Sequence, residues 1–170
     1  MEFFIESYAR LRRTLMVNRM DKDWLQGRVS LGTAAQWTAE EMRLVAELGY
    51  ALAEQGRNAE AITVFEGLAA LTPATVYFQA ALGALWLREK DPEQALSYLD
   101  VAISSDPNDI SSLINRGEAQ MQLGNIEAAR KDLREVVRLG SISNLPVAEK
   151  CTARALGLLA RLELVAEARA

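Results

Sequence analysis

The sequence predicts an all-α protein built from stacked helix pairs, and two observations support that fold class. The composition favours helices, because Ala, Leu, Glu and Arg, which are strong helix formers, outnumber Val, Ile and Thr. One residue pattern also recurs three times at a constant step, as in repeat proteins. At 170 residues, the chain can form one domain with a sizeable core, and a second independent domain is not expected.

Residues 1–37 are predicted to form an N-terminal helical segment and a connector. Phe4, Tyr8, Leu11 and Leu15 recur at helical spacing on one stripe, and most of the nearby arginines lie off it. A helix packed on the first repeat is the favoured interpretation. A self-association helix and a helix at an anionic membrane surface are the alternatives.

Residues 38–141 contain the three copies of the repeated unit. In each copy a Gly is followed at the same spacing by an Ala, and a large apolar residue follows the Ala by one helical turn. Small residues let the two helices of a pair approach closely, and the large residue shares a face with the Ala. The predicted packing residues are Gly49, Ala61 and Phe65, then Gly83, Ala95 and Leu99, then Gly117, Ala129 and Leu133.

Local signals predict where the repeat helices begin and end. Thr38-Ala39-Glu40-Glu41 is a capping box before the first helix. Asp91-Pro92 fits an N-cap followed by proline at the first helical position. Gly56 and Gly124 fall at the turns between paired helices, where a left-handed residue is common.

Residues 142–170 are predicted to form a C-terminal helix that caps the stack, because the last repeat must have its apolar face covered. Cys151 falls in this helix, at the register position that Gly occupies in the three copies. We therefore expect it to be a packed small residue rather than a reactive thiol. As the only cysteine, it excludes an intrachain disulfide and favours a reducing compartment.

The sequence offers no set of residues for catalysis or metal binding. There is no histidine, which removes Ser-His-Asp and Cys-His catalysis and every histidine metal site. One cysteine cannot build a thiolate zinc site, and neither GxGxxG nor GxxxxGK[ST] occurs. We expect a protein that is not an enzyme and that uses no cofactor and no metal.

Charge and hydropathy narrow the partners further. The net charge of -4 argues against nucleic acid, which needs a basic face. No stretch approaches the roughly 18 apolar residues that span a bilayer, and the first residues have no signal-peptide core. A cytoplasmic protein without stable membrane insertion is expected.

The repeated pattern, with a period of about 34 residues, resembles the tetratricopeptide repeat family over residues 42–141. The resemblance implies a right-handed superhelix whose concave surface is lined by the first helix of each pair. The second copy matches best, with Leu82, Gly83, Trp86, Ala95, Leu99, Ala102 and Pro107. The first supplies Leu48, Gly49, Leu52, Ala61, Phe65 and Pro73. The third departs at Arg116, Gln120 and Ser141, so its second helix or its exit is expected to be irregular.

The family's inward-facing positions select the candidate groove residues, although some of these side chains could instead pack between repeats. Small alanines flanked by larger side chains would leave shallow apolar pockets for an extended segment with spaced hydrophobic anchors. Replacing Leu87 or Ile114 by Glu would then abolish client binding without unfolding the chain. The candidates are Ala46, Tyr50, Tyr77, Ala80, Ala84, Leu87, Ile114, Asn115 and Met121.

One family subset is not expected here. Repeat domains that hold the acidic C-termini of heat-shock proteins use a clamp of Lys, Asn and Arg. At those positions this chain has Ala46, Tyr50, Ala81, Ser111 and Asn115, of which only Asn115 is a polar donor of the required kind. A carboxylate clamp is therefore not predicted.

The overall plan resembles the class II chaperones of type III secretion, which hold hydrophobic translocator proteins in the bacterial cytoplasm. The run from Val64 to Ala84 is similar to the join between their first and second repeats. This resemblance implies a chaperone whose groove takes an extended translocator segment, and it allows a homodimer through the N-terminal helix. The alternatives are a general scaffold that joins folded partners through its convex face or N-terminal helix, and a lipid-surface adaptor.

Overall fold

The computed structural model describes residues 37–73, 75–143 and 145–167, and this part of the chain is entirely helical apart from its turns. The predicted N-terminal helix and its connector lie outside the described residues. The helices are α1 (Ala39–Glu54), α2 (Asn58–Leu71), α3 (Val76–Arg88), α4 (Pro92–Ser105), α5 (Ile110–Gln122), α6 (Ile126–Gly140) and α7 (Pro146–Glu167). The predicted all-α class is confirmed.

The helices stack as three pairs followed by α7. Each helix packs on the next one along the chain, and α5, the first helix of the third pair, also packs on α3 and on α7. The first helices of the second and third pairs therefore lie side by side. The first helix of the first pair, α1, joins the same face through the Tyr50 ring, which lies 5.5 Å from the Tyr77 ring of α3.

The predicted N-caps are present at α1 and α4. Thr38 Oγ1 accepts a hydrogen bond from the Glu41 N–H at 3.2 Å, and the Glu41 carboxylate accepts one from the Thr38 N–H at 2.8 Å. The Asp91 carboxylate accepts from the Gln94 N–H at 3.0 Å, with Pro92 as the first residue of α4. Each cap satisfies backbone donors that have no partner within the helix.

The turn inside each pair passes through a left-handed residue. Gly56 and Gly124 have φ values of 76° and 80°, where glycine is free of the Cβ clash. The equivalent turn of the second pair uses Lys90, whose φ is 60°. The backbone geometry thus recurs in all three copies even where glycine does not.

Each pair closes through a glycine that faces a large side chain. A Cβ added to Gly83 would lie 2.6 Å from Leu99 Cδ2, and Leu99 has no exposed surface. A side chain at this position would force Leu99 or its helix to shift. The same approach recurs in the other pairs, where Gly49 faces Phe65 and Gly117 faces Leu133.

The third copy has an ion pair at two positions that belong to an apolar cluster in the second copy. Arg116 stands at the register position of Leu82, and Asp132 stands at that of Tyr98. Arg116 donates from Nε and Nη2 to the Asp132 carboxylate at 2.7 and 2.8 Å, and from Nη1 to Asp100 at 2.9 Å. Asp132 is only 5% exposed, so the pair lies largely inside the packed helices.

The irregularity expected in the third copy lies at its exit and not in its second helix. The second helix, α6, is continuous over 126–140. The exit does differ, because five residues (141–145) separate α6 from α7, whereas four residues separate α2 from α3 and α4 from α5.

Candidate groove on the face of the first helices

A cavity of about 410 Å³ opens on the face formed by α1, α3 and α5. Its floor is made by α3, where three alanines leave the backbone thinly covered. Larger apolar side chains surround this floor, and polar side chains stand at its edges. The apolar residues that line the cavity are Tyr50, Ala53, Phe65, Val76, Tyr77, Ala80, Ala81, Ala84 and Leu85.

Aromatic rings form one wall of the cavity. The Tyr50 ring lies 5.0 Å from the Phe65 ring at 69°, and 5.5 Å from the Tyr77 ring. Tyr77 lies 5.7 Å from Phe78, and its side chain is 53% exposed. Such edge-on contacts hold the rings in place, so the wall is formed before anything binds.

Burial changes the chemistry of Tyr50. Its pKa is raised above the ordinary value, chiefly by burial and secondarily by the neighbouring Tyr77 hydroxyl. An ordinary phenol is already neutral at physiological pH, and the raised pKa extends the neutral range of Tyr50 to more alkaline pH. Tyr50 offers an apolar ring with one hydroxyl donor, not a charge.

Charged side chains stand at the two ends of the cavity. Asp106 and Asp109, in the turn between α4 and α5, line it together with Arg88 at the end of α3. The Asp109 carboxylate accepts from the Ser112 N–H at 3.0 Å, and Asp106 accepts from the Asn108 N–H at 3.0 Å. The N-cap bond at Asp109 and the turn bond at Asp106 hold both carboxylates in position.

A second cavity, of about 370 Å³, lies between α1 and the start of α3. Met42 and Phe78 contribute its largest apolar side chains, and Thr72 and Thr75 come from the turn before α3. Tyr77 lines both cavities. The two cavities are therefore neighbours on one surface, with the half-exposed Tyr77 ring between them.

The structure brings together some of the candidate groove residues and separates others. Ala46, which is 4% exposed, lines the second cavity. Leu87 and Met121 line neither of these two cavities and pack against core clusters instead. Those that line the first cavity are Tyr50, Tyr77, Ala80, Ala84 and Asn115.

Ile114 is the clearest departure from the sequence-based groove. It is 1% exposed and lies in the core with Ala129 and Leu133, because α5 is covered by both α3 and α7. A glutamate at this position would place a charge inside the core. The expectation that Ile114→Glu leaves folding intact is therefore wrong.

Sequence reasoning missed Val76, Asp106 and Asp109, which line the first cavity. All three lie in turns or in the first turn of a helix, outside the positions that the helical register ranks as inward-facing. Their place depends on how the turns fold back beside α3. No periodic signal in the sequence identifies them.

Cys151 packs beside the groove end of α5. It is half-buried and contacts the core that contains Ile114 and Leu133. Burial raises the pKa of its thiol, and Asp109 adds to this, while Arg154 and Ser111 act in the opposite direction. The thiol is thus protonated at neutral pH and a weak nucleophile.

The described ranges hold neither a metal-binding cluster nor a helix that could span a membrane. Across residues 37–73, 75–143 and 145–167, no cluster of three or more His, Cys, Asp or Glu side chains could hold a metal ion. Nor does any helix in the described part of the chain combine the length and apolar character needed to cross a bilayer.

Two family models, both of the tetratricopeptide repeat, match the chain over residues 82–161 and 46–110. Hsc70-interacting proteins 1 and 2 of Drosophila melanogaster are each 31% identical over 101 residues. That match covers 59% of this chain and 26% of each relative. The matched part of the chain therefore spans about a quarter of the length of these relatives.

Solved structures share the fold at low identity. SycD, a type III secretion translocator chaperone of Yersinia enterocolitica, superposes with a TM-score of 0.70 at 18% identity, covering 78% of this chain and 97% of SycD. PcrH, bound to the chaperone binding region of PopD, gives 0.69 at 22% identity, covering 75% and 94%. SycD has also been solved with a peptide of the translocator YopD and as an alternative dimer.

The constant repeat period, the three glycine-closed helix pairs and the family matches agree with one another. Together the two family models span residues 46–161, from the middle of α1 into α7. The chain belongs to the tetratricopeptide repeat family.

Proposed function

We propose that this protein is a binding module of the chaperone type, which holds an extended, partly apolar segment of a client protein in its groove. The observation that carries the proposal is the apolar cavity on the face of α1, α3 and α5. Covering an apolar client segment would keep it from associating before its release. The chemistry required is recognition alone, with no bond made or broken.

The shape of the surface favours an extended segment over a folded partner. Two apolar cavities, of about 410 and 370 Å³, adjoin across Tyr77. In an extended chain, side chains two residues apart point the same way and lie about 6 to 7 Å apart. One client side chain could therefore fill each cavity while its backbone passes over the Tyr77 ring.

The structural neighbours support the class of client. PcrH and SycD have been solved with segments of PopD and YopD, and both share this fold. A hydrophobic translocator-type protein, held in the bacterial cytoplasm before secretion, is the client that we propose by analogy. Dimer formation is likewise a proposal here, based on SycD.

A general scaffold is the second candidate. Val101 on α4, the second helix of its pair, is 44% exposed, so an apolar side chain is available outside the groove. On that alternative, folded partners would bind the surface around Val101, or the N-terminal segment, and the groove would not matter.

The test is co-purification of the tagged full-length chain from its native host with two matched variants. Ala84→Glu puts a charge into the floor of the first cavity, and Val101→Glu puts the same charge on α4. We expect a partner with long apolar segments to accompany the wild type and Val101→Glu, and to be lost from Ala84→Glu. Circular dichroism melting of both variants checks that the fold is retained.

The variants separate the two candidates. A partner kept by Ala84→Glu and lost from Val101→Glu would support the scaffold and reject the groove. A wild-type protein that brings down no partner at fixed stoichiometry would reject the chaperone proposal.

A further inference from the structure

We infer that the bound client segment carries a lysine or arginine beside its apolar anchor, and that Asp106 and Asp109 bind this cation. The inference rests on the proposed function, because it describes the occupant of the same cavity. It specifies the charge of the client segment, which neither the fold nor an apolar groove predicts.

The two carboxylates are positioned and free to accept a further donor. Asp109 is the N-cap of α5 and uses Oδ2 for the Ser112 N–H, while Asp106 uses Oδ1 for the Asn108 N–H. Each therefore keeps its other oxygen for a ligand. Within the described residues, neither carboxylate takes part in an ion pair.

Arg88 does not neutralise this end of the cavity. It ends α3, whereas α4 runs back along α3 and brings Asp106 near the start of α3. A helix of this length separates its two ends by about 18 Å, which exceeds the screening length of roughly 8 Å at physiological salt. Arg88 Nη1 donates to the Ala53 carbonyl at 3.2 Å, at the negative end of α1.

An anchor in the cavity strengthens the attraction at its edge. A buried apolar side chain displaces water, so a charge next to it interacts with the carboxylates in a lower dielectric than bulk water. Carboxylates already held by hydrogen bonds from backbone N–H groups lose little freedom on binding. A glutamate at the same client position would face two negative charges and be rejected.

The test measures binding of three synthetic peptides to the full-length chain by fluorescence anisotropy. The peptides share a Ser, Gly and Asn background with two Leu anchors, and differ only in having Lys, Gln or Glu beside the first Leu. We expect affinity to fall from Lys to Gln to Glu by about fivefold per step at low salt, as for a partly exposed charge pair. Raising the salt concentration should reduce both differences in affinity, because it screens the charges.

Two double variants make the test specific to the cavity. Asp106→Asn with Asp109→Asn removes both charges and keeps an oxygen acceptor at each position. Asn is favoured both at a helix N-cap, as at Asp109, and in a turn, as at Asp106. We expect this variant to bind all three peptides with similar affinity. The control, Glu93→Gln with Glu127→Gln, removes two exposed charges in the first turns of α4 and α6 and should keep the Lys preference.

The outcomes distinguish this inference from the proposed function. If all three peptides bind wild type equally, or if both double variants keep the same Lys preference, the inference is overturned while groove binding stands. Preference for the Glu peptide would overturn it in favour of Arg88. If wild type binds none of the peptides, or if Ala84→Glu binds them as tightly as wild type does, the groove and the inference are overturned together.

Discussion

At the scale of single residues, Lys90 stands out because it has a left-handed backbone conformation. In the other two copies, glycine occupies the equivalent position. Gly56, Lys90 and Gly124 occupy equivalent positions in the three copies, and all have positive φ. A side chain with a Cβ has an energetic cost there that glycine avoids. The packing of α3 against α4 requires this turn geometry, and Lys90 adopts it despite its Cβ.

We therefore expect Lys90→Gly to stabilise the protein by about 1 kcal/mol, since it removes the left-handed strain. Urea unfolding monitored by circular dichroism measures the change. The converse substitution, Gly124→Ala, should destabilise by a similar amount because nothing but the backbone conformation resists its Cβ. A lower stability for Lys90→Gly would show that the Lys90 side chain makes a contribution that outweighs the strain.

The ion pair of Arg116 and Asp132 makes a second prediction at this scale. Arg116→Leu alone leaves the largely buried Asp132 carboxylate without its partner and should cost about 3 kcal/mol. Asp132→Tyr alone should cost less, because Arg116 keeps its bond to Asp100 at 2.9 Å. The double variant restores the Leu and Tyr pair that the second copy uses at Leu82 and Tyr98. Its stability should return to within about 1 kcal/mol of wild type.

The measurement is a double-mutant cycle by urea denaturation. Additive losses in the double variant would mean that the two side chains act independently, against the bidentate geometry of 2.7 and 2.8 Å. That result would also show that the ion pair of the third copy and the Leu and Tyr pair of the second copy do not stabilise their helix pairs equally.

At the scale of the helices, the pairs are held by close approach rather than by side-chain size alone. Gly83 and Gly67 test this, because both are helical glycines but only Gly83 faces another helix. A Cβ at Gly83 would lie 2.6 Å from Leu99 Cδ2, whereas a Cβ at Gly67 would meet nothing within 4 Å. The same chemical change should thus have opposite effects.

We expect Gly83→Ala to destabilise the protein by about 2 kcal/mol through overpacking. Gly67→Ala should stabilise it by about 0.5–1 kcal/mol through helix propensity. Thermal and urea unfolding of both variants provide the comparison. Equal effects on stability from the two changes would contradict a tight contact between α3 and α4.

At the scale of the whole molecule, the sequence predicted the stack well because its constraints repeat. The constant step between copies marks the positions where two helices touch, such as Gly83 and Leu99, and caps such as Thr38 mark where helices begin. The groove was predicted less well. Tyr50, Tyr77, Ala80 and Ala84 hold register positions that point to the open face, whereas Ile114 holds such a position and is buried.

The sequence by itself determined the all-α class, the three pairs and the helix caps at Thr38 and Asp91, because periodicity and capping are local properties of the chain. Only the tertiary structure decided which inward-facing residues stay open. Whether such a residue stays exposed depends on how far neighbouring helix pairs cover one another. Because α3 and α7 both pack on α5, Ile114 is buried in the core and does not line the groove. The turn between α4 and α5 brings Asp106 and Asp109 to the cavity. The helical periodicity of the sequence does not predict where the residues of a turn lie.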